Sequence, residues 1–250
     1  MAVERVSSLD KALNVLLTLR DDGTSAHAVG DIARATNLDK AQVSRYLQTF
    51  SRYGLVERLP GRQGYRLGWG IVALSQQAFM SRVLTMVGSH IRALCRSLEE
   101  SVFFSVREGD HAVTLTSAEP ERRLYSRSWN GRPFSLVGSG VGYVLLAECR
   151  DEELRQIWEA DSGSHSWERV RSGVDQAREQ GFVIVRDEFS EGISAAAFPL
   201  RFERNGQATL VGALSVSAPS ERFERHCDAI VSELRDAAAR LRTAISADPT

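Results

Sequence analysis

The sequence has no apolar run of the roughly eighteen residues that a membrane-spanning helix needs. Its first residues, MAVERVSSLDKAL, lack the apolar stretch of a secretory signal, so a cytoplasmic protein without membrane contact is expected. The three cysteines, Cys95, Cys149 and Cys227, lie far apart and form no CxxC, which argues against a disulfide framework and a zinc knuckle. No P-loop, GxSxG elbow or HExxH occurs, and His27, His90, His111, His165 and His226 are scattered. His226 and Cys227 are adjacent, but neighbours on a helix point different ways. Asp187, Glu188 and Glu191 cluster without a histidine and read more simply as a solvated turn than as a metal site. The expectation is a protein that is not an enzyme and uses no cofactor and no metal.

Excess charge is also missing. The formal net charge is −1 over 250 residues, which taken alone argues against a nucleic-acid partner. The total hides an asymmetry. Residues 1–68 hold ten Lys+Arg against seven Asp+Glu, and residues 69–250 hold twenty-one against twenty-five. Between 40 and 66, Lys40, Arg45, Arg52, Arg58, Arg62 and Arg66 face one acid, Glu57. Such a stretch suits a phosphate backbone, and equally a solvated helix face followed by an exposed hairpin.

What is present is an ordinary globular composition, 43% hydrophobic and 25% charged, enough for one large domain or two smaller ones. Apolar spacing predicts a helix over 8–21, a short second helix around Val29, Ile32 and Ala33, and a third beginning after an Asp39 N-cap. Gly54 ends the third. Residues 55–59 and 65–67 then read as strands around Pro60-Gly61. Three helices and a hairpin in under 70 residues is the order of a winged helix-turn-helix. Helices are expected from 69 to about 82 and from about 84 to 99. Beyond them, strands at 102–107, 111–117, 123–129, 182–186, 193–200 and 209–217 mix with helices at 140–148, 151–159, 168–180 and 221–245. The reading is an α+β chain divided into a DNA-binding domain at 1–68, a linker helix at 69–85 and a sheet domain covered by helices at 86–250.

On the third helix, Val43, Tyr46, Leu47 and Phe50 form the apolar stripe. At about 100° per residue, Ala41, Arg45, Gln48 and Arg52 fall opposite, flanked by Gln42 and Ser44. Arg can bond guanine, Gln adenine, and an alanine methyl can approach thymine. Gln42 and Arg45, then Gln48, are the expected base readers. Lys40, Ser44 and Arg52 suit phosphates, and Arg62 at the hairpin tip suits phosphate or the flanking minor groove. Farther on, Gly138, Gly140 and Gly142 with Ser139 open a helix. Its first amides suit a carboxylate, and a tight helix entry that needs small residues explains the glycines equally well.

These residues resemble the IclR family of bacterial transcription regulators over nearly the whole chain. The likeness is carried by Ser8–Leu16 (SLDKALNVL), Asp31–Ala33 (DIA), Asn37–Phe50 (NLDKAQVSRYLQTF), Tyr53–Glu57 (YGLVE) and Tyr65–Gly68 (YRLG). In the second half it rests on Gly181–Gly192 (GFVIVRDEFSEG), Ala196–Pro199 (AAFP) and Gly212–Phe223 (GALSVSAPSERF). The resemblance implies a winged helix-turn-helix, a linker helix and a GAF-like effector-binding domain. It also implies homodimers or homotetramers on a double-stranded operator, tuned by a small organic acid. Three departures stand out. The family's helix entry ends in lysine where this chain has Tyr143. An aspartate is frequent where Val185 or Arg186 stands, and a cysteine where Ala195 stands. The family's pocket then maps to Ser139, Gly140, Val141, Ala195, Ser215 and Ser217. Tyr125, Trp129 and Phe134 are candidate walls, or plain core aromatics. A roomier, less polar pocket for an aromatic or longer aliphatic carboxylate is expected.

Overall fold

The computed structural model describes residues 7–20, 26–60, 64–121, 131–161, 165–204 and 206–247. Arg62, Tyr125, Trp129 and the strand expected at 123–129 lie outside the described residues. The chain divides into two compact units, Met1–Ser81 and Arg82–Thr250.

The first unit opens with α1 (Ser8–Leu17), fixed by a reciprocal cap: Asp10 N–H donates to Ser7 Oγ, and Ser7 N–H donates to Asp10 Oδ2. The helix ends earlier than its apolar period suggests. Leu19 is buried in phase, but its amide and that of Arg20 have tightened onto Leu16 and Leu17 carbonyls. α2 (Val29–Thr36) stops at Asn37, which takes the left-handed conformation at φ 53° and ψ 41°. Asp39 then caps α3 (Lys40–Arg52) by accepting from the Gln42 amide at 2.8 Å. The hairpin β1 (Val56–Leu59) and β2 (Gly64–Leu67) pairs antiparallel, and His27 joins its edge through a two-bond bridge to Tyr65. Val15, Leu19, Ile32, Ala33, Val43, Leu47 and Val56 make one core, so the helices and the hairpin are packed as one body.

α4 (Trp69–Leu98) is one helix of 30 residues, not the two helices that the spacing suggested. Met80-Ser81-Arg82-Val83-Leu84 contains neither glycine nor proline, and Val83 is buried, so nothing interrupts the backbone ladder. The unit boundary falls inside this helix.

The second unit is built on six strands: β3 (Ser101–Glu108), β4 (His111–Ala118), β5 (Pro133–Ser135), β6 (Val183–Arg186), β7 (Ile193–Arg204) and β8 (Gln207–Pro219). Their order is β5-β4-β3-β8-β7-β6, and every described pairing is antiparallel. The chain is therefore α+β rather than a βαβ arrangement. Successive side chains alternate between the sheet's faces. On β3, β7 and β8 one face carries Val102, Phe104, Ala196, Phe198, Leu214 and Val216, all buried. Here α8 (Ser220–Ser246) packs along β7 and β8. Phe198 stacks on Phe182 at 4.8 Å between centroids, and the Arg235 guanidinium of α8 lies over both rings. The other face is covered by α5 (Gly140–Leu146), with α7 (Trp167–Gln180) and α6 (Asp151–Ala160) packed behind it. Tyr143, Leu146, Leu154, Val170 and Val174 are its buried contacts. The strand β5 was not anticipated. It is three residues long and carries too little alternation to show in sequence.

Leu47 is fully buried beneath α3 in the first core. Leu47→Ala should destabilise that unit by about 2–5 kcal/mol, read from guanidinium unfolding followed by circular dichroism. A loss under about 1 kcal/mol would contradict the packing described.

Candidate functional site

Two places in the structure gather the residues that the sequence singled out. The first is the outer face of α3. Lys40, Ala41, Arg45, Gln48 and Arg52 are exposed, while Val43 and Leu47 on the opposite side are buried. Among the described residues, Lys40, Arg45 and Arg52 make no ion pair, so three cations stand unneutralised on one helix. Asp39, the acid nearest to them in sequence, serves as the helix cap. Two flanking residues are placed differently. Gln42 is half-buried and its Nε2 donates to Tyr46 Oη at 3.1 Å, and Ser44 is half-buried. Of the other cations in the basic stretch, Arg66 pairs with Glu57 and Arg58 lies over the Tyr65 ring.

The second is a cavity of about 350 Å³ in the second unit, between α5 and the sheet. Phe134, Ser139, Gly140, Val141, Ala195, Ser215 and Ser217 all line it. The structure adds Phe103, Ser105, Thr114, Val185, Phe189, Ser190 and Ile193, which sequence reasoning did not name as walls. Strand alternation could have found some of them, since Phe103 and Ser105 share the face of Ser215 and Ser217 through the β3–β8 register. Val185 lines the cavity, and Arg186 turns away to pair with Glu224 at 2.6 Å. Of the two positions at which the resemblance makes an aspartate frequent, the one that lines the cavity is thus a valine. Among the described residues, no lining residue carries a charge. The polar groups are hydroxyls and the backbone of the α5 entry.

That entry separates the roles of its glycines. A Cβ on Gly142 would sit 1.7 Å from the Leu136 carbonyl oxygen, so close backbone packing requires glycine there. Gly138 has φ +77° and lies under the His165 ring. Packing accounts for these two. Gly140 instead lies over Val183, Val185 and Ala197 and borders the cavity. Ser139 caps the helix by accepting from the Gly142 amide at 3.0 Å. That leaves the Gly140 and Val141 amides of the first turn without an acceptor inside the helix.

Tyr143, standing where the resemblance implies lysine, does not line the cavity. Its ring packs on Gly173 of α7, and its hydroxyl donates to Glu188 Oε2 at 3.0 Å. Glu188 also pairs with Arg169, and its side chain is 10% exposed. Burial and the Glu188 carboxylate push the Tyr143 hydroxyl above its ordinary range, so it remains a donor. The residues that follow Glu188, Phe189 and Ser190, form a cavity wall, with Phe189 edge-on to Phe134 at 5.5 Å. The loop is closed at its base by Asp187, which takes φ 56° and accepts from Gly192 N–H and Ser220 Oγ. The acidic cluster noticed in sequence is thus divided: Asp187 closes a turn and Glu188 anchors a wall.

The family described as "IclR helix-turn-helix domain" matches residues 8–60, and "Bacterial transcriptional regulator IclR C-terminal" matches residues 78–243. Among curated proteins, the HTH-type transcriptional regulator KdgR of Escherichia coli is 27% identical over 95% of this chain and 92% of its own length. The HTH-type transcriptional repressor AllR of the same organism is 24% identical over 98% of this chain and 92% of its own. Among solved structures, an IclR-family regulator from Rhodococcus sp. superposes with a TM-score of 0.72 at 23% identity, covering 97% of this chain and 96% of that one. An IclR homologue from Microbacterium hydrocarbonoxydans, solved with 4-hydroxybenzoate, gives a TM-score of 0.60 at 20% identity, covering 97% and 100%. At these identities the two structures show the fold.

Tyr143→Phe keeps the ring against Gly173 and removes only the bond to Glu188. The expected cost is about 1 kcal/mol, with faster hydrogen exchange confined to residues 187–193, whose amides at Asp187, Gly192 and Ile193 are bonded. Unchanged exchange there would show that the hydroxyl does not hold the wall.

Proposed function

The chain belongs to the IclR family of bacterial transcriptional regulators, a non-enzymatic family, and from that premise we propose that it reads an operator with α3 and senses a small carboxylate in the cavity under α5. Arg45 and Gln48 are the base readers, with the partly engaged Gln42 beside them. Lys40, Ser44 and Arg52 hold phosphates, Ala41 approaches the groove floor, and Arg62 reaches DNA from the hairpin tip. The three unpaired cations on one exposed face support this assignment. It works in the cytoplasm as a homodimer or homotetramer. Leu9, Leu13 and Leu17, exposed at 67%, 44% and 51%, form a stripe along α1 that a second copy would cover.

The observation that carries the effector assignment is the cavity itself. Its volume falls within the usual range for small-molecule sites. Three phenylalanines and a set of aliphatic side chains surround a few hydroxyls and the α5 entry. The carboxylate is taken by the Gly140 and Val141 amides with Ser139, Ser215 and Ser217, and the apolar walls take a ring or a chain. Ala195 and Val185, small and apolar side chains on the cavity wall, leave room for that body. The Microbacterium homologue's 4-hydroxybenzoate belongs to the same chemical class. The ligand shifts operator affinity only by binding the competent and incompetent states unequally.

Two experiments test these assignments. In fluorescence anisotropy with the duplex upstream of its own gene, Arg45→Ala should weaken binding by about 1–3 kcal/mol and relax specificity at one base pair. Lys40→Ala should lower the log–log salt slope by about one, uniformly across sequences. Unchanged operator affinity in Arg45→Ala would show that the α3 register is wrong. In calorimetry, benzoate-type or medium-chain acids should bind and glyoxylate and pyruvate should not, and the opposite pattern would contradict the effector class.

A further inference from the structure

Ser105 and Thr114 are both buried, 0% and 2% exposed, and both border the cavity. Their hydroxyls bond to each other at 3.0 Å. The pairing depends on a bulge. Phe104 stands opposite Thr116, yet Ser105 stands opposite Thr114, so Leu115 has no partner. An unbroken register would have set Leu115 across from Ser105, and the bulge replaces it with a hydroxyl. A mutual bond uses one of the two O–H protons. The other proton, and the remaining lone pairs, have no partner among the described residues. Each hydroxyl has the other as its partner, and the spare proton and lone pairs remain available to a polar group in the cavity that both residues border.

This pair lies apart from the α5 entry. Gly140 sits over Ala197 of β7, and the order β7-β8-β3-β4 puts Ser105 two strands away and Thr114 three. At strand spacing, the first interval is roughly 10 Å. Phe103 and Phe134 border the space as well. Among the described residues no charged side chain lines the cavity, so none of them would balance a second charge on the ligand at this end.

We propose that Ser105 and Thr114 form a second polar subsite that selects ligands bearing a neutral hydroxyl or carbonyl at the end opposite the carboxylate. The proposal rests on the carboxylate assignment above and adds to it a requirement for two polar ends, separated by a rigid ring or short chain.

The test is calorimetry on the full chain with benzoate, 4-hydroxybenzoate, p-cresol and toluene. The wild type should bind 4-hydroxybenzoate about tenfold more tightly than benzoate, the effect of one well-made hydrogen bond. The double variant Ser105→Ala/Thr114→Val removes both hydroxyls together and so strands neither. It should bind the two acids equally. Should the double variant fail to fold, Thr114→Val alone should narrow the tenfold gap. Equal affinities in the wild type, or a full tenfold gap in a folded variant, overturns the subsite. p-Cresol binding as tightly as 4-hydroxybenzoate, with toluene not binding, refutes the carboxylate assignment and leaves the hydroxyl subsite standing. Failure of all four compounds to bind overturns both.

Discussion

The cavity depends on a difference in side-chain volume between the two faces of one sheet. On β3, β7 and β8, the face toward α8 carries phenylalanine, leucine and valine, and it is packed solid. The face toward α5 carries Phe103 on β3 but is otherwise dominated by small residues, Ser105, Ala195, Ala197, Ala213, Ser215 and Ser217. Interiors are normally close-packed, so short side chains beneath a helix must be met by neighbours or leave a space. Here the helix start supplies no bulk, because Gly140 faces the sheet and Gly142 is pressed on Leu136. The space is therefore set by composition, and its hydroxyls keep it suited to a polar-tipped guest rather than to a collapsed core.

Around that space the fold spends its polar interactions on fixing walls. Asp187, Glu188 and Tyr143 place Phe189 opposite Phe134, and Ser139 and the Leu136 contact place the α5 entry. None of these groups adds a charge to the cavity. In the first unit the same economy runs the other way. Asp39 and Glu57 are engaged in a cap and an ion pair, which leaves Lys40, Arg45 and Arg52 outward on α3. A net charge of −1 for the chain is the sum of a cationic reader and a mildly acidic sensor.

Much of this was legible in the sequence because it is local. The caps at Asp39, the hairpin around Pro60 and the period of α3 are set by neighbours within a few residues, and the structure has them where the spacing put them. The serines of β8 and the glycines of α5 were visible as a pattern. What was not legible depends on register and on contacts distant in sequence. The bulge that turns Thr114 toward Ser105 leaves no mark in composition. Phe189 and Ser190 belong to a loop held at the cavity by contacts distant in sequence, among them Glu188 with Tyr143, 45 residues away in the chain. The break expected near residue 83 failed because two successive apolar patterns share one uninterrupted helix.

In the proposed mechanism, occupancy of the cavity under α5 alters operator affinity. The most direct measurement is the anisotropy of an operator duplex titrated with wild type and with Ala195→Leu, each with and without saturating 4-hydroxybenzoate. Ala195 borders the cavity, so a leucine there should fill it and leave the DNA-reading helix unchanged. The wild type should shift by at least about fivefold, the lower range of allosteric coupling, and the variant should not shift. A shift of the same size in both proteins would contradict that mechanism.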